Sequence, residues 1–347
     1  MLAVRKMDHG PGHLSCENVP EPELKPGMVK LKIAYCGICG TDTHTYHGVE
    51  SAFFPFHFPV TFGHEYSGEV IEIADDVTTL KVGDMVTARA VTGFCGNCEP
   101  CLTGRPGACV NHSATAGLDI DGAMSEYFCI EAGCCYKFPD TISAEEAAVT
   151  EPACVAVHAC TELIDLKPYD TVMIMGAGPI GLLCLMAVKA NGARAVMVDL
   201  SSAKFRLEKA GEIGADLVLE SDKDNIPAEI RKFNGGKAAD YCIDATGVAA
   251  CLDTCILCTK KNGTIVEVGI CDPKGITLKN FLLAILLEQR IQFSYGSVGN
   301  TWARTLDMMA SGKMNVKQII THTFPLTECQ KAFDLNDGTN LKVLMHP

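Results

Sequence analysis

Short runs in which apolar and polar residues alternate dominate the first 140 positions. Val29-Lys-Leu-Lys-Ile-Ala-Tyr35 and Gly68-Glu-Val-Ile-Glu-Ile-Ala74 are the clearest, and Gly, Pro and Asp turns separate them. Such spacing predicts a small β-barrel or sandwich. From 142 to 166 the period becomes helical, with Ser143-Ala-Glu-Glu146 shaped like a capping box and Glu151-Pro152 expected to interrupt the run. Beyond it, apolar strands at 171–175, 195–199, 239–246, 263–269 and 291–295 alternate with helical stretches that reach 190 and span about 248–258 and 278–288. Strand, helix, strand repeated in this way predicts a doubly wound parallel sheet of about six strands. The last fifty residues carry a helix, a strand at 319–324, a helix near 327–335 and a closing apolar strand. The fold class is α/β, with domains at 1–152 and 153–296 and a tail, 297–347, that returns to the first.

Composition narrows the setting. At 347 residues with 48% hydrophobic content, two globular domains are expected. No apolar run reaches the ~18 residues that a membrane span needs, and the first thirty residues lack a signal pattern, so a cytoplasmic location is expected. In that compartment nineteen cysteines read as thiols and metal ligands rather than disulfides. The formal net charge is −13 and no Lys/Arg stripe forms, which argues against a nucleic-acid partner.

Three clusters carry chemistry. Cys36-Gly-Ile-Cys-Gly-Thr-Asp-Thr-His44 is followed by Gly63-His64-Glu65, which places a thiolate, an imidazole and a carboxylate in one short span. Cys39, His64 and Glu65 read as a catalytic zinc site, whose three protein ligands leave a position for water or substrate. Cys95, Cys98, Cys101 and Cys109, spaced C-x2-C-x2-C-x7-C in a lobe at 93–110, read as a closed structural zinc site. Two zinc ions per chain are therefore expected. The remaining cysteines, Cys134-Cys135 and Cys251, Cys255 and Cys258 among them, read as core thiols. Gly176-Ala-Gly178-Pro179-Ile180-Gly181 follows a strand, opens a helix and has Asp199 in 23rd place after its first Gly. That context makes it a dinucleotide fingerprint: Gly176 for the turn, Gly178 for approach of the pyrophosphate, Gly181 for helix packing, and Asp199 for the ribose hydroxyls. A carboxylate there repels a 2′-phosphate, so NAD is expected over NADP. Thr246 and Gly269, at the ends of later strands, complete the expected cofactor contacts.

With these motifs in place, the chain resembles the zinc-dependent medium-chain alcohol dehydrogenases over essentially its whole length. Thr150-Glu-Pro-Ala-Cys-Val-Ala-Val-His-Ala159 is similar to the segment found in polyol dehydrogenases of the sorbitol and galactitol type, and in related threonine dehydrogenases. The resemblance implies a GroES-like catalytic domain, an inserted Rossmann domain and a homodimer or homotetramer. It places Glu151 on the catalytic zinc, directly or through water, where ethanol-type relatives have a cysteine. It leaves open whether Glu65 or Glu151 is the direct ligand. It further implies Thr41 and His44 as a proton relay, and Asp42 as the carboxylate that orients the zinc-bound histidine. The expected reaction is hydride transfer between NAD and a secondary alcohol or polyol; a polyol phosphate, threonine or a simple alcohol are the alternatives. A non-catalytic zinc and nucleotide-binding protein is the remote rival, and a zinc hydrolase leaves the nucleotide fingerprint without a task. The aromatic loop at 52–59 is a candidate pocket wall.

Overall fold

The computed structural model describes residues 1–49, 57–105, 108–111, 114–297 and 300–347, so residues 52–56 of the aromatic loop lie outside the described residues. The chain forms two compact units. One comprises Met1–Glu151, Val298–Ala310 and Ile320–Pro347; the other comprises Pro152–Ser297 and Ser311–Ile319.

The first unit contains β1 (Leu2–Lys6), β2 (Leu14–Asn18), β3 (Met28–Gly37), α1 (Gly40–Tyr46), β4 (Val60–Thr61), β5 (Glu65–Ile73), β6 (Met85–Ala88) and β7 (Val91–Thr92). These are followed by α2 (Glu99–Leu102), β8 (Ala114–Thr115), β9 (Tyr127–Glu131) and β10 (Cys135–Lys137). Alternation along β3 turns Val29, Leu31 and Ile33 inward, where they meet Val70, Val86, Phe128 and Ile130 from neighbouring strands in one apolar core. β3 and β5 pair antiparallel, and the register ends with Gly37 opposite Glu65. That pairing carries two site segments to the same end of the sheet.

Helix α3 (Ala144–Ala148) begins with a complete capping box, in which the Ser143 hydroxyl accepts from the Glu146 amide and the Glu146 carboxylate accepts from the Ser143 amide. The helical run breaks at Val149 rather than at Pro152, and α4 (Thr150–Thr161) follows. Pro152 lies in the first turn of α4, where its missing N–H would have had no intrahelical partner.

The second unit alternates β11 (Thr171–Met175), α5 (Pro179–Ala190), β12 (Arg194–Asp199), α6 (Lys204–Ile213), β13 (Leu217–Glu220), α7 (Ile226–Phe233), β14 (Ala239–Asp244), α8 (Ala249–Cys258), β15 (Thr259–Glu267), α9 (Phe281–Leu286) and β16 (Arg290–Phe293). The six strands form a parallel sheet in the order β13-β12-β11-β14-β15-β16. Strand order reverses between β11 and β14, the position at which doubly wound sheets open a crevice for dinucleotides. Cys242, Cys255 and Cys258 pack into the apolar core between sheet and helix.

The tail supplies α10 (Thr301–Ala310), β17 (Ile320–Pro325), α11 (Cys329–Phe333) and β18 (Lys342–His346). β18 runs antiparallel to β3, with Leu344 opposite Gly37 and Met345 opposite Cys36, and parallel to β17. The chain's last strand is therefore interior to the first unit's sheet, beside the strand that precedes Cys39. Among the described residues no helix is long and apolar enough to cross a membrane.

Candidate active site and metal centres

Local structure delivers each member of the mixed-ligand cluster. Cys39 caps α1, and its amide donates to Asp42 Oδ2 at 2.9 Å, so the helix start fixes the cysteine backbone. Gly63 precedes His64 with φ +101°, and a Cβ there would lie 2.5 Å from Cys36 Sγ; only glycine makes this turn without strain. Glu65 then opens β5. One ligand atom each from Cys39, His64 and Glu65 lies within 4.8 Å of the others. A thiolate, an imidazole and a carboxylate at that separation suit zinc, whose bonds to S, N and O span roughly 2.0 to 2.3 Å.

The neighbours of this triad are as specific as its members. The other oxygen of Asp42, Oδ1, stands 3.7 Å from His64 Nδ1, and both atoms are buried without a hydrogen-bond partner among the described residues. Facing Nδ1 with a carboxylate leaves Nε2 for a metal. The Thr41 hydroxyl is 3.8 Å from Cys39 Sγ. His44 is exposed, in the last turn of α1. Burial drives the Glu151 carboxyl up to about 7, with His64 opposing and Glu65 adding to the rise. Lys342 was not singled out by the sequence pattern, yet its Nζ donates to Glu65 Oε1 at 2.9 Å and Oε2 at 2.7 Å. Burial alone would lower its pKa, but the charges of Glu65, Cys39 and Glu151 and the hydrogen bond to Glu65 together outweigh that and hold it above the ordinary lysine value. One cation inside an otherwise apolar strand was the available signal, because a buried ammonium requires a buried anion.

The four-cysteine lobe is equally explicit. Sγ separations are 3.4 Å for Cys98–Cys101, 3.9 Å for Cys98–Cys109 and 3.6 Å for Cys95–Cys109. A tetrahedral ion with Zn–S bonds of about 2.3 Å spaces its sulfurs by about 3.8 Å, so these separations lie near those a zinc ion sets. Hydrogen bonds from the Asn97 backbone and the Asn111 side chain pull the Cys95 thiol down to about 6. Asn111 Nδ2 donates to Cys95 Sγ at 3.1 Å and was not singled out from the sequence.

In the second unit the fingerprint glycines have distinct surroundings. A Cβ on Gly176 would meet Thr246 at 2.7 Å, and one on Gly181 would collide with the Gly176 carbonyl, while Gly178 faces open space. Gly178 is also the N-cap of α5, which has no side-chain cap, so first-turn amides remain for an anion. Asp199 accepts from the Ala177 and Leu200 amides, both at 2.7 Å, which pins the carboxylate at the end of β12. Asp244, which the sequence reading passed over, accepts from the Thr246 amide at 2.8 Å and hydroxyl at 2.6 Å, and its carbonyl accepts from Gly269. It thereby organises both outlying cofactor candidates. These groups form a cradle that fits a dinucleotide.

Comparison with known proteins places this geometry. Residues 25–140 match the family described as "Alcohol dehydrogenase GroES-like domain", and residues 179–311 match "Zinc-binding dehydrogenase". The chain is 32% identical to sorbitol dehydrogenase of Halalkalibacterium halodurans, over 100% of this chain and 99% of the relative. It is 38% identical to sorbitol dehydrogenase of Homo sapiens, over 97% and 94%. Among solved structures, 2R,3R-butanediol dehydrogenase from Bacillus subtilis superposes with a TM-score of 0.88 at 31% identity, covering 100% of this chain and 99% of that one.

Proposed function

Since the chain belongs to the zinc-dependent medium-chain alcohol dehydrogenases, in their polyol branch, we propose that it oxidises a secondary hydroxyl of an unphosphorylated polyol with NAD⁺. The observation that carries this reading is the meeting of Cys39, His64 and Glu65 in a chain whose relatives named above are sorbitol dehydrogenases. Glu151 stands where ethanol-type relatives have a cysteine, and its carboxylate suits a hydroxyl-rich substrate.

Zinc held by Cys39, His64 and Glu65 supplies a Lewis acid that makes the alcohol more acidic, and the nicotinamide supplies the hydride acceptor. The chain's own residues manage the proton. Thr41 Oγ, beside the Cys39 sulfur, accepts the proton of the substrate hydroxyl, and exposed His44 passes it to solvent. Asp42 holds the His64 ring and the Cys39 backbone in place. Glu151 and Glu65 are the two carboxylates that would hold that zinc together with Cys39 and His64. A second zinc in the Cys95, Cys98, Cys101 and Cys109 lobe is structural. NAD would be preferred over NADP because Asp199 would accept from the adenine-side ribose hydroxyls and repel a 2′-phosphate, with Asp222 a second carboxylate at the adjacent Ser201.

The reading includes a cytoplasmic homo-oligomer, in keeping with a cysteine-rich sequence whose cysteines read as thiols and metal ligands. Phe281, Leu282, Ile285 and Leu286 of α9 and Phe293 of the edge strand β16 are all more than half exposed, a patch that suits a second copy. Leu286→Glu should shift the species measured by light scattering toward monomer. The deciding assay is NAD⁺ reduction across polyols, polyol phosphates, threonine and simple alcohols. Highest kcat/KM on a free polyol is the expected result, and a preference of ten-fold or more for any other class would overturn the substrate assignment.

A further inference from the structure

The strand that closes the first unit's sheet brings a charge to the mixed-ligand centre. Lys342 is 3% exposed and Glu65 1%. Besides both Glu65 oxygens, Lys342 Nζ donates to the Ile38 carbonyl at 3.1 Å, so all three hydrogens of the ammonium are engaged. Ile38 immediately precedes Cys39, and one cation therefore ties the thiolate's loop to the carboxylate of β5. Room for the carboxylate is built in. A Cβ at Gly37 would stand 2.3 Å from Glu65 Oε2, so the missing side chain of Gly37 is the space that Glu65 fills as it turns toward Lys342. The register of β18 on β3 holds the lysine at that spot.

Counting charge shows what the lysine does. The Cys39 thiolate and the Glu65 carboxylate already cancel a divalent ion, and the Glu151 carboxylate takes the centre to −1. The buried Asp42 carboxylate facing His64 adds a further negative charge, and the Lys342 ammonium offsets one of the two in excess. Resting on the zinc reading above, we propose that Lys342 is the positioning residue of the catalytic centre: it orients Glu65 by both oxygens and cancels its charge, setting how strongly the centre holds metal.

The test is zinc affinity, measured on the full chain by competition with a chromogenic chelator, with the absorption spectrum of the cobalt-substituted protein as second readout. Lys342→Met leaves the Glu65 charge uncompensated and should bind zinc at least ten-fold more tightly, with an altered cobalt spectrum. Lys342→Arg keeps the charge and should remain within three-fold of wild type. Glu65→Gln should bind at least 100-fold more weakly, and adding Lys342→Met to it should recover ten-fold or more, because an unopposed cation is removed. Lys342→Met that binds zinc no more tightly than wild type overturns the proposal. Should that variant not fold, the double variant decides: recovery of less than ten-fold over Glu65→Gln overturns it. Cys39→Ala separates the two levels. If that variant still binds two zinc ions per chain, the zinc reading itself falls, whatever the Lys342 variants do.

Discussion

Glu267 should make the second unit lose stability as pH rises, and Glu267→Gln should abolish that loss. At the end of β15, Glu267 pairs in register with Asp244 on β14, and neither of its buried carboxylate oxygens has a hydrogen-bond partner among the described residues. Burial, reinforced by the neighbouring Asp244 charge, pushes its carboxyl from 4.5 up to about 8. Below pH 4.5 the proton is present on both the folded and unfolded chain, and the full stability of the neutral form is available. Between 4.5 and about 8 only the folded chain keeps it, so stability falls by up to ~1.4 kcal/mol per pH unit. Over 3.5 pH units, from 4.5 to 8, the limit is about 5 kcal/mol, of which roughly half is a reasonable expectation after local relaxation. Glutamine copies the neutral acid without the titration. Calorimetry of the cofactor-free protein should find the two proteins nearly equal at pH 5. The variant's transition should lie on the order of 10 °C higher by pH 8.5, since 1 kcal/mol moves a midpoint by roughly 2–4 °C at this size. A gap that stays constant with pH, or narrows, would refute the argument by showing that Glu267 is already ionised and satisfied in the folded chain.

Metal analysis should return two zinc ions per chain, and Cys98→Ser should lower the folded yield and leave one, because a closed thiolate site contributes folding free energy; selective loss of turnover in a fully stable protein would reverse the assignment. Asp199→Ala should reduce kcat/KM for NAD⁺ by 10- to 100-fold while leaving that for NADP⁺ similar or higher, and an unchanged ratio sinks the cofactor assignment. For Glu151, whose carboxyl sits at about 7 without metal, the Glu151→Gln variant should retain zinc but lose a limb of the pH profile of kcat/KM; full activity with an unaltered profile would place Glu151 outside the centre's chemistry.

What the sequence made legible was local. β11 occupies the residues read from its apolar run, and β12 begins one residue earlier than read, because buried parallel strands are continuous apolar stretches with turn residues at their ends. Cysteine spacing located the lobe because its four ligands lie within fifteen residues. Three readings fell short for physical reasons. The break at Val149 was placed at Pro152 because proline disrupts helix interiors, whereas here it occupies a first turn. Lys342 was passed over because its partner is 277 positions away, and a cation in an apolar strand signals a buried anion without naming it. Asp244 was likewise read only as part of the strand at 239–246, since its role lies in which amides it receives.

The position of β18 also has a meaning in time. The second unit's strands all lie between 171 and 293, so that sheet can form from local βαβ pieces, whereas β18 reaches β3 across some three hundred residues. Closing so long a loop adds little at equilibrium, as each doubling of length costs only about 0.6 kcal/mol, but it makes this pairing a late event. Until it occurs, Cys39, His64 and Glu65 share a sheet end without their ammonium. A sheet at that stage carries one more uncompensated negative charge at this end than the finished one. Docking of the last strand is then the step that supplies the counter-charge and completes the centre.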